Sequence, residues 1–488
     1  MKIAVVGLGY VGLVTAAGFA RTGQEVIGIE HDPIRLGALQ AGLVPIHEPG
    51  LETLLGDGLR DGDLRLSGMP AVAATASVVI VCVGTDDGIG GWQTATVEAC
   101  LAEVVPSLAD DAVLLIRSTL PPSFVATLGE RVGSLRREAG RGAVPVLLNP
   151  EFTSEGTAVR DFLAPDRIVL GVASDPAGYG EAVARELYDG FGAPILVQTA
   201  NDACLTKIGS NLFLATKISF ANELARLCEL YGAGIDAVVD GMAYDPRIGG
   251  SFLRPGVGFG GSCLPHQVRM VVQGGRQAGL PMRLLTAVED VNRDQVHQVE
   301  ALLEARLGPL AGARIALLGL AFKPGTDDVR EAPALAIAQA LTDRAARIVA
   351  YDPMVRARAR VAELMPTVRV VPSAIDALRR ADAAVLVTEW PEFGQLDWSG
   401  ILASMTRPLV IDGRNALDAP GLRSLGFDVV GFGLHRDVAA PADRRPDARP
   451  APSRLVTTTP ALEPSVGGRS GFRVATEPGL TAADLPGT

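Results

Sequence analysis

A short apolar run over residues 2–6 passes directly into Gly7-Leu8-Gly9-Tyr10-Val11-Gly12, and a helical stretch follows to about residue 22. Strand, glycine-spaced turn and helix in that order leave few folds open. Gly7 permits the tight turn, Gly9 lets the main chain approach a pyrophosphate, and Gly12 permits close packing of helix on strand. The phosphates belong at the helix N-terminus, where unpaired N–H groups and the helix dipole favour negative charge. A bare glycine turn reads the same way. What separates the two is a second strand over residues 25–29 that ends in Glu30, 23 residues after Gly7. A carboxylate there accepts the ribose hydroxyls and repels a 2′-phosphate, so NAD is expected rather than NADP. Arg35 is placed to reach the adenosine ribose or a phosphate.

Further strands are expected at 77–83, 112–116 and 144–148. They end at Gly84-Thr85, at Ser118-Thr119 and at Asn149-Pro150-Glu151-Phe152. In an open α/β sheet, ligands bind beyond the carboxyl ends of the strands. Thr85, Ser118, Thr119 and Glu151 each pass for ordinary turn residues, but four polar strand ends on one edge mark a site.

Residues 201–231 form one helical pattern with no proline and a single glycine, Gly209. A helix of that length can join two domains and carry a dimer seam. Lys207 and Asn211 lie four apart and share a face, in an apolar setting of Ile208, Leu212, Phe213 and Leu214. Beyond it comes Gly256-Val257-Gly258-Phe259-Gly260-Gly261-Ser262-Cys263. Four glycines in six residues build a loop that can approach a ligand. A cysteine closing such a loop is either a presented nucleophile or a quiet packing residue. Cys82, Cys204 and Cys228 sit in apolar segments and read as core.

A second α/β unit follows, with strands at 314–318, 347–351, 383–388 and 408–411. It lacks a second G-x-G-x-x-G, yet Lys323, Arg330 and Arg414 follow its strand ends, where basic residues suit a phosphorylated ligand. The expected fold is therefore α/β, with two Rossmann-like parallel-sheet domains joined by a long central helix. The boundaries are drawn at 1–198, 199–307, 308–435 and a disordered Pro/Ala-rich tail at 436–488.

Bulk properties narrow the partners. A net charge of −11 argues against a nucleic-acid surface. The five cysteines form no C-x-x-C pair and the five histidines no zinc-ligand spacing, so no metal is expected and a reducing cytoplasm fits. No apolar run is long enough to span a membrane.

Together these residues resemble the UDP-glucose/GDP-mannose dehydrogenase family. The resemblance rests on Gly7–Gly12, Glu48-Pro49-Gly50-Leu51, Ser118-Thr119, Asn149 to Phe152 with Glu155-Gly156, and Pro165-Asp166-Arg167. It continues through Lys207, Asn211, Lys217 to Glu223, Gly258 to Cys263, Gly319 to Arg330 and Asp412 to Asn415. It covers about residues 1–433. The resemblance implies a homodimer that uses two NAD to oxidise the C6 alcohol of a nucleotide sugar to a carboxylate.

By the same resemblance Cys263 is the nucleophile that captures the aldehyde, Lys207 and Asn211 stabilise oxyanions, and Glu151 with Thr119 handles the hydrolytic water. Gly7, Gly9, Tyr10, Val11, Gly12, Glu30, Arg35, Thr85, Thr119, Glu155, His266 and Arg330 are implied at the cofactor. Glu151, Phe152, Glu155, Lys207, Asn211, Phe252, Leu253, Arg254, Pro255, Gly256, Gly260, Lys323 and Arg414 are implied at the nucleotide sugar, with Arg247 reaching across the dimer.

The chain departs from the family pattern after the nucleophile. Cys-x-Pro-Lys-Asp is usual, and here Cys263-Leu264-Pro265-His266-Gln267 stands in its place. Gln267 cannot act as a base. Thr85-Asp86-Asp87 and Pro121-Pro122-Ser123 also differ from the common Thr-Pro and Gly-Thr. Three readings follow: a nucleotide-sugar 6-dehydrogenase, UDP-glucose being the first choice of substrate; the same fold stopping at aldehyde or thioester; and a noncatalytic nucleotide-sugar-binding homologue. Surface polysaccharide synthesis and metabolite glycosylation are both compatible pathways.

Overall fold

The computed structural model describes residues 1–85 and 92–434. Asp86, Asp87 and the expected tail lie outside the described residues. Among the described residues fourteen strands form two sheets. The first sheet contains β1 (Lys2–Val6), β2 (Glu25–Ile29), β3 (Leu64–Ser67), β4 (Val78–Val81), β5 (Val113–Ile116), β6 (Val146–Leu148), β7 (Ile168–Ser174) and β8 (Ile195–Thr199), in the order β3-β2-β1-β4-β5-β6-β7-β8. The second contains β9 (Arg314–Leu318), β10 (Arg347–Tyr351), β11 (Arg369–Val370), β12 (Ala383–Leu386), β13 (Leu409–Asp412) and β14 (Asp428–Gly431), in the order β11-β10-β9-β12-β13-β14.

The first six strands of each sheet thus repeat one winding, the doubly wound order that reverses beside its first strand. β1 pairs with β2 and β4 on either side, and β9 with β10 and β12. The second sheet is wholly parallel. The first gains an edge the sequence reading did not contain: β7 runs antiparallel to β6, and β8 follows it in parallel. The central strands β4, β5, β6, β9 and β12 are buried on both faces, or nearly so. That double burial explains why they read as unbroken Val/Ile/Leu/Ala runs rather than alternating patterns.

The central helix runs Ala200–Tyr231, 32 residues, and packs its buried stripe on β7 and on the helices Leu264–Gln277 and Arg283–Leu307. Thr199 caps it, accepting from the Asp202 N–H at 3.2 Å, and Gly232 ends it in the left-handed conformation. A short helix, Ile235–Ala243, then turns the chain towards the glycine loop. Both sheets and the helices between them belong to one compact unit.

The sheets are held against each other at one seam. The Lys323 Nζ donates to Ser154 Oγ at 2.6 Å, Thr326 Oγ1 to Glu155 at 3.1 Å, and Arg356 to the Val44 carbonyl at 2.8 Å. Gly156 and Gly325 meet so closely that a Cβ on Gly156 would stand 3.0 Å from the Gly325 carbonyl oxygen.

Candidate active site

A cleft of about 560 Å³ opens at the carboxyl edge of the first sheet, where the strand order reverses between β1 and β4. The glycine turn forms one wall. The Gly7 N–H donates to Ile29 O at 2.8 Å, and the first helix, α1 (Tyr10–Arg21), starts immediately beyond Gly9. A Cβ on Gly12 would lie 1.8 Å from the Gly7 carbonyl oxygen, whereas a Cβ on Gly9 would meet nothing within 4 Å and would project where the cleft is open. Space kept clear at Gly9 above a helix N-terminus fits a pyrophosphate.

Glu30 lies at the end of β2, almost fully buried. Its Oε2 accepts from the Leu8 N–H at 3.1 Å, and Arg35 approaches it at 3.4 Å. A carboxylate fixed beside the turn fits a ribose carrying free hydroxyls, so the residues present suit NAD.

Gly7, Gly9, Tyr10, Val11, Glu30, Arg35, Thr85, Thr119, Glu151, Glu155, Cys263, His266 and Arg330 all line this cleft. The four strand-end residues expected at one edge do meet: the Thr85 hydroxyl donates to Thr119 O at 2.8 Å and the Ser118 hydroxyl to Val83 O at 2.7 Å. Tyr10 donates to Glu48, which also accepts from the Gly156 N–H at 2.6 Å, tying the cofactor turn to the 154–156 loop. Glu155 faces Asp328 and Arg330 of the second domain. Burial and the Asp328 charge push its carboxyl up to about 7, against the pull of Arg330.

The glycine loop brings Cys263 to the cleft from the opposite side. Its path is pinned from three elements. Asn222 of the central helix accepts from the Gly256 N–H at 2.8 Å. Asn292 accepts from the Phe259 N–H at 2.7 Å and donates to the Phe259 carbonyl at 3.1 Å. Arg414, after β13, donates to Gly258 O at 2.9 Å. Gly260 passes so near the second domain that a Cβ there would stand 2.4 Å from Glu331 O. Asn292 was not picked out in the sequence, and Asn222 entered only within the Lys217 to Glu223 match, with no role; an asparagine on a helix carries no mark of the loop it will hold.

Cys263 caps the helix Leu264–Gln277, so its sulfur sits at a helix N-terminus, and it is the one exposed cysteine of the five. Crowding by the cleft walls raises its thiol pKa above the ordinary value; Lys207 opposes that rise and Glu151 adds to it.

The Lys207 ammonium donates to Glu151 Oε1 at 2.8 Å, both side chains being less than a tenth exposed. The Thr153 N–H and hydroxyl bind Glu151 Oε2 at 2.7 and 2.6 Å. Burial alone would raise the Glu151 carboxyl, but Lys207, Thr153 and Arg117 together hold it below its usual range. Asn211 follows one turn after Lys207 and is half-buried. Phe152 packs under Arg167 at 3.8 Å and Lys207 at 5.4 Å. His266 is buried with its ring 6.3 Å from that of Trp92, and Gln267 presents a buried Oε1 with no hydrogen-bond partner among the described residues.

Other residues implied at the nucleotide sugar stand outside this cleft. Lys323 and Arg414 rise at the carboxyl edge of the second sheet, where burial lowers the Lys323 pKa. Pro255, Gly256 and Gly260 are buried in the loop itself. The Leu253 side chain belongs to an apolar core with Ala225, Ile235 and Val239, leaving only its main chain for a ligand. Arg254 is held by Asp236 and Asp240 at 2.8 and 2.7 Å, Arg247 by Asp245 at 2.6 Å, and Phe252 is exposed with φ 64°. In the second domain the N–H groups of Leu320 and Ala321 are already taken by Asp352, at 2.7 and 3.0 Å. That turn offers a phosphate less than the Gly7–Gly12 turn does.

Residues 1–192 match the NAD binding domain of the UDP-glucose/GDP-mannose dehydrogenase family, 201–294 its central domain and 316–419 its UDP binding domain. The UDP-glucose 6-dehydrogenase of Pseudomonas aeruginosa is 41% identical over 448 residues, covering 89% of this chain and 98% of that protein. That of Rhizobium meliloti is 37% identical over 441 residues, covering 89% and 99%. Among solved structures, a UDP-glucose dehydrogenase from Pyrobaculum islandicum superposes with a TM-score of 0.80 at 34% identity, covering 89% of this chain and 97% of that one. The three matched segments follow the cofactor-binding sheet, the central helices and the second doubly wound sheet in order, and this chain belongs to the UDP-glucose/GDP-mannose dehydrogenase family of NAD-dependent nucleotide-sugar dehydrogenases.

Proposed function

We propose that the protein oxidises the C6 alcohol of UDP-glucose to the carboxylate in two steps on one site. The observation that supports this most is the convergence of Cys263, Glu151 and the NAD turn on a single cleft, with Lys207 paired to Glu151 behind it. NAD held by the Gly7–Gly12 turn and Glu30 would supply the hydride acceptor for both oxidations at C6. Between them the Cys263 thiolate adds to the aldehyde carbon, so the intermediate stays bound as a thiohemiacetal while the cofactor exchanges. Lys207 and Asn211 stabilise the oxygen that carries negative charge at each tetrahedral stage. The second oxidation leaves a thioester. Water adds to its carbonyl with Glu151 as base and Thr119 holding the water, and the Cys263 sulfur departs. Gln267, neutral and buried beside that carbonyl, is left to orient rather than to deprotonate.

Lys323 and Arg414, at the reversal point of the second sheet, are proposed to take the diphosphate, with the Gly256–Gly261 main chain beside the sugar. The central helix presents Phe213, Phe220 and Leu227 at seven-residue spacing, 66, 47 and 50% exposed, and we assign this face to a homodimer in which Arg247 meets the partner.

NADH release against a panel of UDP- and GDP-sugars tests the reading. Two NADH per UDP-glucose with a free uronate support it. One NADH with the sugar left as an aldehyde replaces it with an enzyme that stops after the first oxidation, and two NADH in a single turnover with an acyl group trapped on Cys263 replace it with one that stops at the thioester; binding without NADH refutes it.

A further inference from the structure

Strand β5 delivers a cation to the floor of the cleft. Arg117 follows Ile116, is 7% exposed and lines the cleft beside Ser118 and Thr119. Its Nη1 donates to Asn149 Oδ1 at 2.8 Å and to the Tyr188 hydroxyl at 3.1 Å, and its guanidinium carbon stands 5.5 Å from the centre of the Phe162 ring. Its Nε is buried with no hydrogen-bond partner among the described residues. Among the described residues no ion pair involves Arg117, although other buried cations have one, such as Arg136 with Asp110 and Lys207 with Glu151. A buried cation surrounded by neutral partners is costly to keep unless a neighbouring anion needs it.

The chain leads from those partners to such an anion. Asn149 opens the turn Asn149-Pro150-Glu151. It is locked there by its Nδ2 bond to Val169 O at 3.0 Å and by the Tyr188 hydroxyl, which donates to its Oδ1 at 2.5 Å. We propose that Arg117 is a positioning residue for Glu151: through Asn149 it fixes the turn that carries the carboxylate, and as a buried cation without a carboxylate of its own it supplies that carboxylate with a second counter-charge.

The second counter-charge matters because Lys207 has two tasks, and in this respect the inference rests on the proposed function. When Lys207 turns its ammonium to an oxygen at C6, Glu151 loses the one ion-pair partner it has among the described residues. Arg117 keeps it ionised through that exchange and so available as a base. The charged and titratable groups around Glu151 are Lys207 on the central helix, Arg117 after β5, Cys82 after β4 and Cys263 at its helix start. The Arg117 charge acts on Glu151 in the same direction as Lys207, and it also opposes the rise that burial imposes on the Cys82 thiol.

The test is an infrared pH titration of the Glu151 carboxyl band, assigned by its loss in Glu151→Gln, in wild type, Arg117→Met, Arg117→Lys and Asn149→Asp. The last variant gives Arg117 a carboxylate at the existing 2.8 Å contact and cancels its field at nearly unchanged side-chain size, while giving up the Nδ2 bond to Val169 O. It keeps the test open if Arg117→Met does not fold. The band midpoint moves to higher pH in Arg117→Met and in Asn149→Asp, and stays near wild type in Arg117→Lys. The acid limb of NADH formation from the nucleotide sugar moves in parallel. Unmoved midpoints with rates lowered evenly at all pH overturn the inference and leave Arg117 a structural clamp; so does a lysine variant that titrates like the methionine one. Wild-type protein that forms no NADH refutes the proposed function instead, while the infrared titration still decides the role of Arg117.

Discussion

Replacing Gly12 with alanine separates the packing role of the cofactor turn from its binding role, provided Gly9→Ala is measured beside it. At Gly12 the new Cβ would stand 1.8 Å from the Gly7 carbonyl oxygen and 2.9 Å from its carbon, where real Cβ contacts essentially never fall below 3.0 Å. Relieving that from 1.8 to at least 3.0 Å means separating turn and helix by about 1.2 Å. The obstacle is main chain, so no side chain can swing away. Overpacking in a tight interior costs about 1–3 kcal/mol, and a rigid backbone obstacle argues for the upper end. For a domain of this size, 3 kcal/mol lowers Tm by roughly 6–12 °C.

Gly9 has ordinary extended backbone, φ −71°, and an added Cβ meets nothing within 4 Å. Gly9→Ala therefore melts at or slightly above the wild-type temperature, gaining about 0.4–1 kcal/mol through the unfolded chain. Its methyl group occupies the space kept for the pyrophosphate, so NAD affinity falls roughly tenfold or more, about 1.4 kcal/mol. Thermal melts with and without NAD, and calorimetric titration, read both quantities. A Gly12→Ala protein that melts like wild type, or a Gly9→Ala protein that loses as much stability as Gly12→Ala, would falsify the argument.

Three further outcomes follow from the site. Lys207→Met strands a buried carboxylate and costs about 3–5 kcal/mol at pH 7. Because Glu151 titrates below its ordinary range in the fold, its share of stability is present above the unfolded value and lost on acidification. Urea unfolding at pH 7 and pH 4 should show the wild-type advantage shrinking at the lower pH, and Glu151→Gln should recover much of the loss. Glu155, pushed up to about 7 from 4.5, works in the opposite sense. Its stabilising contribution is full below about 4.5 and lost as pH rises through about 7, so wild type loses Tm relative to Glu155→Gln between pH 5 and 8; parallel curves would remove Glu155 from the account. Native protein treated with iodoacetamide takes up one label, on Cys263, the exposed cysteine of the five, more slowly than a free thiol at neutral pH and faster above it; prompt labelling of a second cysteine contradicts the burial of the others.

Local patterns carried most of the fold. The run from Lys2 through Gly12, the acid at Glu30 and the proline-free stretch ending at Tyr231 announce a doubly wound sheet and a long helix because period, turn chemistry and length agree within each segment. The strands that went unread, β3, β7, β8, β11 and β14, are edge strands or their neighbours. Several are half-exposed and short, such as the two residues of β11, so their apolar signal is weak. That β7 runs against β6 is invisible in either strand, since direction is set by how the intervening chain returns to the sheet.

The chemistry divides in the same way. A cysteine on a glycine loop, a lysine on an apolar helix face and a glutamate after a buried strand are legible one at a time, because their types and local settings are unusual. Their meeting is not. Lys207 and Glu151 lie 56 residues apart in the chain, and only the packing of the central helix on the first sheet brings them to 2.8 Å. Arg117 was not singled out in the sequence, and its burial against Asn149, Tyr188 and Phe162 comes from three separate segments. The sequence by itself determined the elements, the cofactor turn and the reactive side chains, since those depend on neighbours within a few residues. Only the tertiary structure decided which charges face one another, because distance and burial between remote segments, not residue type, set their energies.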